Sequence, residues 1–504
     1  MRQLFLSVLP KLRFLFAGNR DSISSCSVVC RTRQSPAPSS LKDLDNMSIF
    51  RKMTADQVKG TVFTNRDLRA LLVPLVIEQA LALLVGMVDT VMVSDAGEAA
   101  ISGVSLVDMI NVLLFNLLAA FATGGAVVVS QSLGAKDHRR AEMRASRMIG
   151  LCLIAGVGLM VLCLLLRGSI ISLFFGSITQ EVCEAALLYF VITLISYPFL
   201  AVYNAGSALF RSLGNSAVSM KTSVLMNLIN VVGNAFCIYY LRMGVAGVAV
   251  PTLISRVVGA GVIVFLMASR KNPLRIHAKD MFLGHPNATK HILYIGIPSA
   301  IENSIFQLGR IIVVSMIATF GTVQITANAV ANNWDGIGCI VGNAFSFAMV
   351  TVIGRCVGTG DMGQVRHYAK KLTRWDGLLQ GAGNVLIILI LPLILRLYSM
   401  SAEAAALSWK LIMIHEVCAI FMWPLAFVFP NMLRAANDVR FTMIASIASM
   451  FVFRVGLSYV LCVRMGMGAV GVWIAMVIDW ICRIICFVSR YLSGKWEAYA
   501  RGHR

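Results

Sequence analysis

Long uninterrupted runs of apolar residues, separated by short polar breaks, occupy the chain from Leu71 to about Tyr491. Twelve such runs can be counted, with approximate limits 70–94, 104–132, 146–173, 184–210, 219–241, 245–268, 292–318, 327–355, 372–396, 404–433, 441–463 and 468–491. Each is long enough to cross a hydrocarbon core as a helix, for which about 20 residues suffice. The breaks alternate in charge. Those after the second, sixth, eighth and twelfth runs carry lysine and arginine (Lys136, Arg139, Arg140 and Arg144 in one, Arg366, Lys370, Lys371 and Arg374 in another), whereas SDAGEAAIS, LRMG and TFGTVQIT carry almost none. By the positive-inside rule this predicts a multi-pass protein of the inner (plasma) membrane with both termini cytoplasmic.

The pattern also repeats. Pro74-x-x-Ile77-Glu78 returns as Pro298-x-x-Ile301-Glu302, an offset of 224 residues, and at that offset Gly97 matches Gly321, Phe121 matches Phe345, Gly134 matches Gly358 and Asp137 matches Asp361. Gly244-Val-Ala-Gly247-Val likewise matches Gly468-Ala-Val-Gly471-Val. Six runs per repeat give both halves the same orientation, so the expected fold is an all-α membrane protein. Its twelve transmembrane helices form two six-helix lobes related by a pseudo-two-fold axis along the membrane normal. The organisation reads as a flexible basic extension (1–65), an N-lobe (66–268), a basic cytoplasmic linker (269–291), a C-lobe (292–492) and a basic cytoplasmic tail (493–504). Within the extension, Pro10, Lys11 and Arg13 interrupt an apolar start and a Ser/Pro-rich stretch comes next. Residues 1–46 are then either disordered or a start-site artefact upstream of Met47, with a transit-like segment as the rival.

Composition narrows the class. Of 504 residues 58% are hydrophobic and 13% charged, which excludes an ordinary soluble enzyme. The net charge of +20 would point to nucleic acid in a soluble chain, but here the cations sit between apolar runs, where loops and anionic lipid headgroups account for them. The 12 cysteines lie mostly inside apolar runs without paired spacing and imply neither a metal nor a disulfide framework. No H-E-x-x-H or phosphate-loop motif is present, so no enzyme is expected.

Candidate chemistry lies in the polar residues inside the runs, because an ionised side chain at the centre of a bilayer costs about 2.5–3.5 kcal/mol on insertion scales. Asp89 stands 18 residues beyond Leu71 on an outgoing helix, Asn230 and Asn234 are nine and thirteen residues after Lys221, and Thr252 is eight after Gly244. At about 1.5 Å per residue all four reach the outer half, and the i,i+4 spacing puts both amides on one face. A carboxylate, two amide oxygens and a hydroxyl suit Na⁺ or a protonatable acid; tying helices together is the plainer alternative for the amides and hydroxyl. The second half carries Glu302, Arg310, Asp335, Glu416, Arg454, Asp479 and Arg483 inside its runs. Glu302, Arg454 and Asp479 are read as a polar cavity there, with a Glu302–Arg454 contact at mid-depth and an Asp479–Arg483 pair at i,i+4. Glu78 reads as a packing or gating group.

Val88-Asp89-Thr90 with Pro74, Ser130-Gln131-x-x-Gly134-Ala135-x-Asp137, Arg211-x-x-Gly214 and Gly244-x-x-Gly247, in this order, resemble the multidrug and toxin extrusion (MATE) family of cation-coupled antiporters. The resemblance covers about 66–492 and implies a V-shaped pair of lobes exporting cationic or amphipathic small molecules in exchange for H⁺ or Na⁺. It maps the family's first-span acid onto Asp89, its fifth-span Asn-x-x-x-Asp/Asn pair onto Asn230 and Asn234, and its sixth-span threonine onto Thr252. The sequence departs from the family at Asn234, an acid in the DinF-like branch, and at Trp423, where NorM-like members place an acid; Glu302 lies a turn before the usual seventh-span acid. The resemblance therefore implies a secondary-active efflux antiporter, monomeric, with membrane lipids and drug-like molecules as partners, no nucleic acid, and no cofactor beyond the coupling ion. A lipid-linked sugar flippase of the same broad superfamily is the alternative.

Overall fold

The structure is a computed structural model that describes residues 62–502 except 95–96, 177–178, 270–271, 283–285 and 399. The readings for 1–46 and for the rest of the extension up to 61 fall outside the described residues. Among the described residues, eleven helices are long and apolar enough to cross a membrane, and a bent pair makes a twelfth. In chain order the spans are Asn65–Ser94, Glu98–Gly134, His138–Leu165, Gln180–Ile195 with Tyr197–Ser212, Ser216–Ala235, Ala246–Ala268, Pro286–Ala318, Thr322–Gly338 with Ile340–Thr359, Met362–Leu397, Ala402–Trp423, Val439–Ser449 and Gly468–Leu492. The expected fold, twelve helices in two six-helix lobes, is the one observed.

Where helices bend, the sequence supplies the cause. The fourth span bends by 46° at Ser196, where Pro198 can open a new helix but cannot continue the old one. The eighth breaks at Cys339, between Gly338 and Ile340. Residues Phe236–Tyr240, Pro424–Val428, Met450–Leu457 and Tyr459–Arg464 extend the fifth, tenth and eleventh spans as π-helix, a geometry that recurs at functional sites. Described parts of the segment read as an inter-lobe linker are held down: Arg147 donates to Thr289 Oγ1 (2.7 Å) and to the Met281 carbonyl (3.0 Å), and the short helix Ala278–Phe282 packs on the third span.

The repeated residues are the parts that shape each lobe. Gly97 and Gly321 take φ of 103° and 92°, and the turns before the sixth and twelfth spans use Gly244 and Gly468, both at φ 56°. Asp137 and Asp361 cap the third and ninth spans, accepting from the backbone N–H of Arg140 (3.0 Å) and Gln364 (3.1 Å). Glu78 lies 3.9 Å from Arg211 and accepts from Ser219, joining the first span to the fourth and fifth. Its counterpart Glu302 lies 2.6 Å from Arg434, an arginine one position from the repeat partner of Arg211 at the end of the tenth span. The repeated carboxylates are thus clamps within each lobe. The Glu302–Arg454 contact expected from depth alone does not form; Arg434 takes that place.

Between lobes, the second span lies along the seventh and eighth. A Cβ on Gly124 would stand 2.6 Å from Gly296 Cα. At the end carrying the basic loops, a Cβ on Gly134 would stand 2.0 Å from the Arg355 carbonyl, and one on Gly358 would stand 2.0 Å from the Gln131 carbonyl. Gln131 and Arg355 are themselves repeat partners. Gln131 donates to the Ala435 carbonyl (3.0 Å) and Arg355 to the Ser212 carbonyl (2.9 Å), two matching bonds that cross the lobe boundary in opposite directions. The basic ends of the lobes are closed on one another.

Candidate functional site: a carboxylate cluster in the N-lobe and a charged cavity

The fifth and sixth spans approach closely where Gly233 faces Pro251; a Cβ on Gly233 would sit 2.7 Å from the proline ring. The missing side chain lets Asn230 and Thr252 come into hydrogen-bond range, one turn from Asn234 and Asp89. Asn234 Nδ2 donates to Asp89 Oδ1 at 2.9 Å. With its amide turned to satisfy both neighbours, Asn230 donates to Asp89 Oδ1 (2.9 Å) and Oδ2 (3.2 Å) and accepts from the Thr252 hydroxyl (2.8 Å). All four residues predicted from depth and face therefore meet. Both asparagines are buried and Asp89 is half-buried. Asn234 Oδ1 is buried beside the carboxylate without a hydrogen-bond partner among the described residues, so the cluster holds an unused oxygen suited to a hard cation or to an acidic proton.

Two groups that sequence reasoning passed over surround this cluster. Asp108, on the second span, accepts from the Tyr189 hydroxyl (3.0 Å) and from Asn111 Nδ2 (3.2 Å), and Asn111 in turn accepts from the Tyr197 hydroxyl (2.8 Å). Arg256, one turn beyond Thr252, donates to Ser196 Oγ (2.6 Å) at the bend of the fourth span and lies 4.3 Å over the Phe115 ring. The charges of both Asp108 and Arg256 reach Asp89. The signal for Asp108 was present, since it too is a carboxylate inside an apolar run.

A cavity of about 470 Å³ lies between the lobes, with Gln79, Asn116 and Thr123 on the N-lobe side and Glu302, Arg310 and Asp335 on the other. Of the three residues read as a C-lobe polar cavity, Glu302 lines it. Arg454 borders a separate pocket of about 20 Å³, and Asp479 is fully buried behind, paired with Arg483 at 3.1 Å and bonded to Ser449. The charges facing the cavity are largely matched: Glu302 with Arg434, Asp335 with His415 at 2.7 Å, Arg483 with Asp479. At the repeat position of Asn230 the C-lobe carries Arg454, and at that of Asp89 it carries Val313. The Arg454 guanidinium is buried, its charge felt by Asp479, and its Nε has no hydrogen-bond partner among the described residues. The N-lobe cluster therefore has no C-lobe copy.

The family model MatE matches residues 74–236 and again 298–460, the same 224-residue offset. A probable multidrug resistance protein NorM of Thermotoga maritima is 26% identical over 442 residues, covering 86% of this chain and 94% of the relative. An uncharacterized transporter, YisQ of Bacillus subtilis, is 26% identical over 430 residues, 84% of this chain and 93% of the relative. Among solved structures, a MATE transporter bound to MaL6 superposes with a TM-score of 0.80 at 22% identity, covering 86% of this chain and 96% of that one. A multidrug resistance MATE transporter in an outward-facing conformation superposes with a TM-score of 0.79 at 23% identity, with the same coverage. With two family matches in tandem, a twelve-span fold and relatives aligned along nearly their whole length, this chain belongs to the multidrug and toxin extrusion family of membrane transporters, of the type found in bacteria.

Proposed function

We propose that the protein is a secondary-active multidrug efflux antiporter of the plasma membrane, exchanging cationic or amphipathic small molecules for H⁺ or Na⁺, with both termini and the basic loops cytoplasmic. The observation that carries the coupling half of this reading is the convergence of Asn230, Asn234 and Thr252 on Asp89. As drawn, two amide N–H groups donate to the carboxylate, an arrangement for the ionised acid. A protonated carboxyl must itself donate, so it turns toward an oxygen such as Asn234 Oδ1 and releases one amide. A Na⁺ would draw on Asp89, the amide oxygens and Thr252 Oγ1, all hard donors. Either event rearranges the contact of the first span with the fifth and sixth, and so biases which end of the lobes is closed.

The cavity supports the substrate half. Its volume suits a drug-sized molecule, and its largely paired charges suit amphipathic rather than strongly anionic ligands. One charge crossing 100 mV supplies about 2.3 kcal/mol and one pH unit about 1.4 kcal/mol, enough to drive appreciable concentration gradients. The protein acts as a monomer among membrane lipids in this reading, and catalyses no covalent chemistry. The test is dye efflux from proteoliposomes under separately imposed pH and Na⁺ gradients. Efflux driven by at least one gradient, and abolished by Asp89→Asn, is expected; efflux indifferent to both would end the proposal.

A further inference from the structure

Away from Asp89, the C-lobe holds a second constellation of a different chemical kind. Asp335 and Cys339, one turn apart at the break in the eighth span, meet His415 of the tenth, and their donor atoms all lie within 4.8 Å of one another. The Cys339 thiol donates to Asp335 Oδ1 at 3.1 Å, and His415 Nε2 stands 2.7 Å from the same oxygen. His415 is 1% exposed, so whatever bridges its Nε2 and the carboxylate is shielded from bulk water. Its other ring nitrogen faces Glu416 Oε1 at 3.3 Å. Glu416 reaches that position because Gly338 has no side chain: a Cβ there would stand 2.9 Å from both Glu416 oxygens. Trp423, Trp473 and Trp480 hold the imidazole edgewise, with centroids 6.2, 5.9 and 5.3 Å away.

These relations fix the chemistry. Each ring nitrogen faces a carboxylate, Nε2 at 2.7 Å and Nδ1 at 3.3 Å, so the imidazole sits where a bridging cation is favoured. A bare nitrogen and a carboxylate oxygen at 2.7 Å repel unless a cation lies between them. A proton can serve; so can a metal ion. The thiol decides which metals, because one nitrogen, one sulfur and one oxygen are the wrong donors for Na⁺, Mg²⁺ or Ca²⁺ and the right ones for a borderline divalent ion. Around tetrahedral zinc, such ligands stand about 3.3–3.6 Å apart, so the two pairs at 2.7 and 3.1 Å need to open by less than about 1 Å each. Asp335 and Cys339 also line the cavity, which leaves the fourth position open to water or to a ligand in it.

We propose that Asp335, Cys339 and His415, with Glu416 orienting the imidazole, form a binding site for a divalent transition cation of the zinc class on the cavity wall. Metal and protons compete for it, since the thiol and any imidazolium must lose their protons on loading.

Cobalt(II) reports the site directly. Titrated into the purified full-length protein in detergent, Co²⁺ should give visible bands of four-coordinate cobalt and a near-ultraviolet thiolate-to-cobalt band, both erased by Zn²⁺. Cys339→Ser should abolish the thiolate band, and His415→Gln should weaken binding at least tenfold. Glu416→Gln should weaken it by about ten- to a hundredfold, although Glu416 is not a ligand. Zn²⁺ should also slow alkylation of Cys339 in the unmutated protein, a readout that needs no variant to fold. A thiolate band unchanged in Cys339→Ser would show that the metal sits on another thiol, and Cys339 alkylation indifferent to Zn²⁺ would show that a proton alone bridges the pair; either would overturn the proposal. None of these readouts uses transport, so a failure here leaves the antiport reading standing, and the reverse holds too.

Discussion

Replacing Gly134 with alanine tests whether the crossing of the second and eighth spans is a working gate. The added Cβ would fall 2.0 Å from the Arg355 carbonyl, inside the 3.0 Å that such contacts respect. Both partners are backbone, so no side chain can swing aside and the two helices must separate by about 1 Å. Overpacking of this kind costs about 1–3 kcal/mol. The cost falls only on the conformation in which these ends are closed, and about 2 kcal/mol lowers its population relative to the opposite conformation by about thirtyfold. Spin labels at Arg139→Cys and His367→Cys, both on exposed positions beside the crossing, would read the separation of these ends. The expected result is a shift from a short to a long distance and dye efflux reduced at least tenfold, with Gly358→Ala behaving alike because its Cβ meets the Gln131 carbonyl at the same 2.0 Å. Gly158→Ala, where the new Cβ meets nothing within 4 Å, should change neither. Unchanged distances and efflux in Gly134→Ala would refute the reasoning.

Asp89→Asn should leave dye binding intact while efflux under the driving gradient falls to the rate of empty liposomes, a split read by equilibrium dye binding beside efflux. Glu302→Gln removes the counter-charge of Arg434, which still bonds Asn431 at 2.6 Å, and should lower stability by about 3 kcal/mol, measured as a fall in thermal midpoint in detergent. Glu78→Gln should cost less, because Arg211 is 3.9 Å away and Ser219 can still bond the amide. Arg256→Gln removes a cation acting on Asp89 and should shift the pH or Na⁺ dependence of efflux while the expression level and elution profile remain those of the unaltered protein.

The lengths of the apolar runs and the 224-residue repeat carried the fold, because bilayer thickness sets helix length and a duplicated lobe repeats its turn glycines and helix caps. The Asp89 cluster was legible for a similar reason: depth comes from counting residues, and Asn230 and Asn234 share a face by spacing alone. Counting does not give the direction a side chain takes around the bundle. That is why Arg454, at a depth matching Glu302, proved to border another pocket while Arg434 made the contact. The π-helical turns at Pro424–Val428 and Met450–Leu457 add to the difficulty, since each rotates the next turns of its span away from the faces a regular helix would give. His415, like Asp108, is an ionisable residue inside an apolar run, but spacing does not show its neighbours; the break at Cys339 and the bare Gly338 bring them around it.

Arg454 gives the duplicated architecture an asymmetry of purpose. Where one half, in the reading proposed above, leaves room among its amides for a visiting positive charge, the other has filled the corresponding place with an arginine's own charge. A tethered ion neither arrives nor departs, so that half offers no second binding event of the same kind. Any stoichiometry above one ion per cycle would then have to come from somewhere other than a mirror image of Asp89.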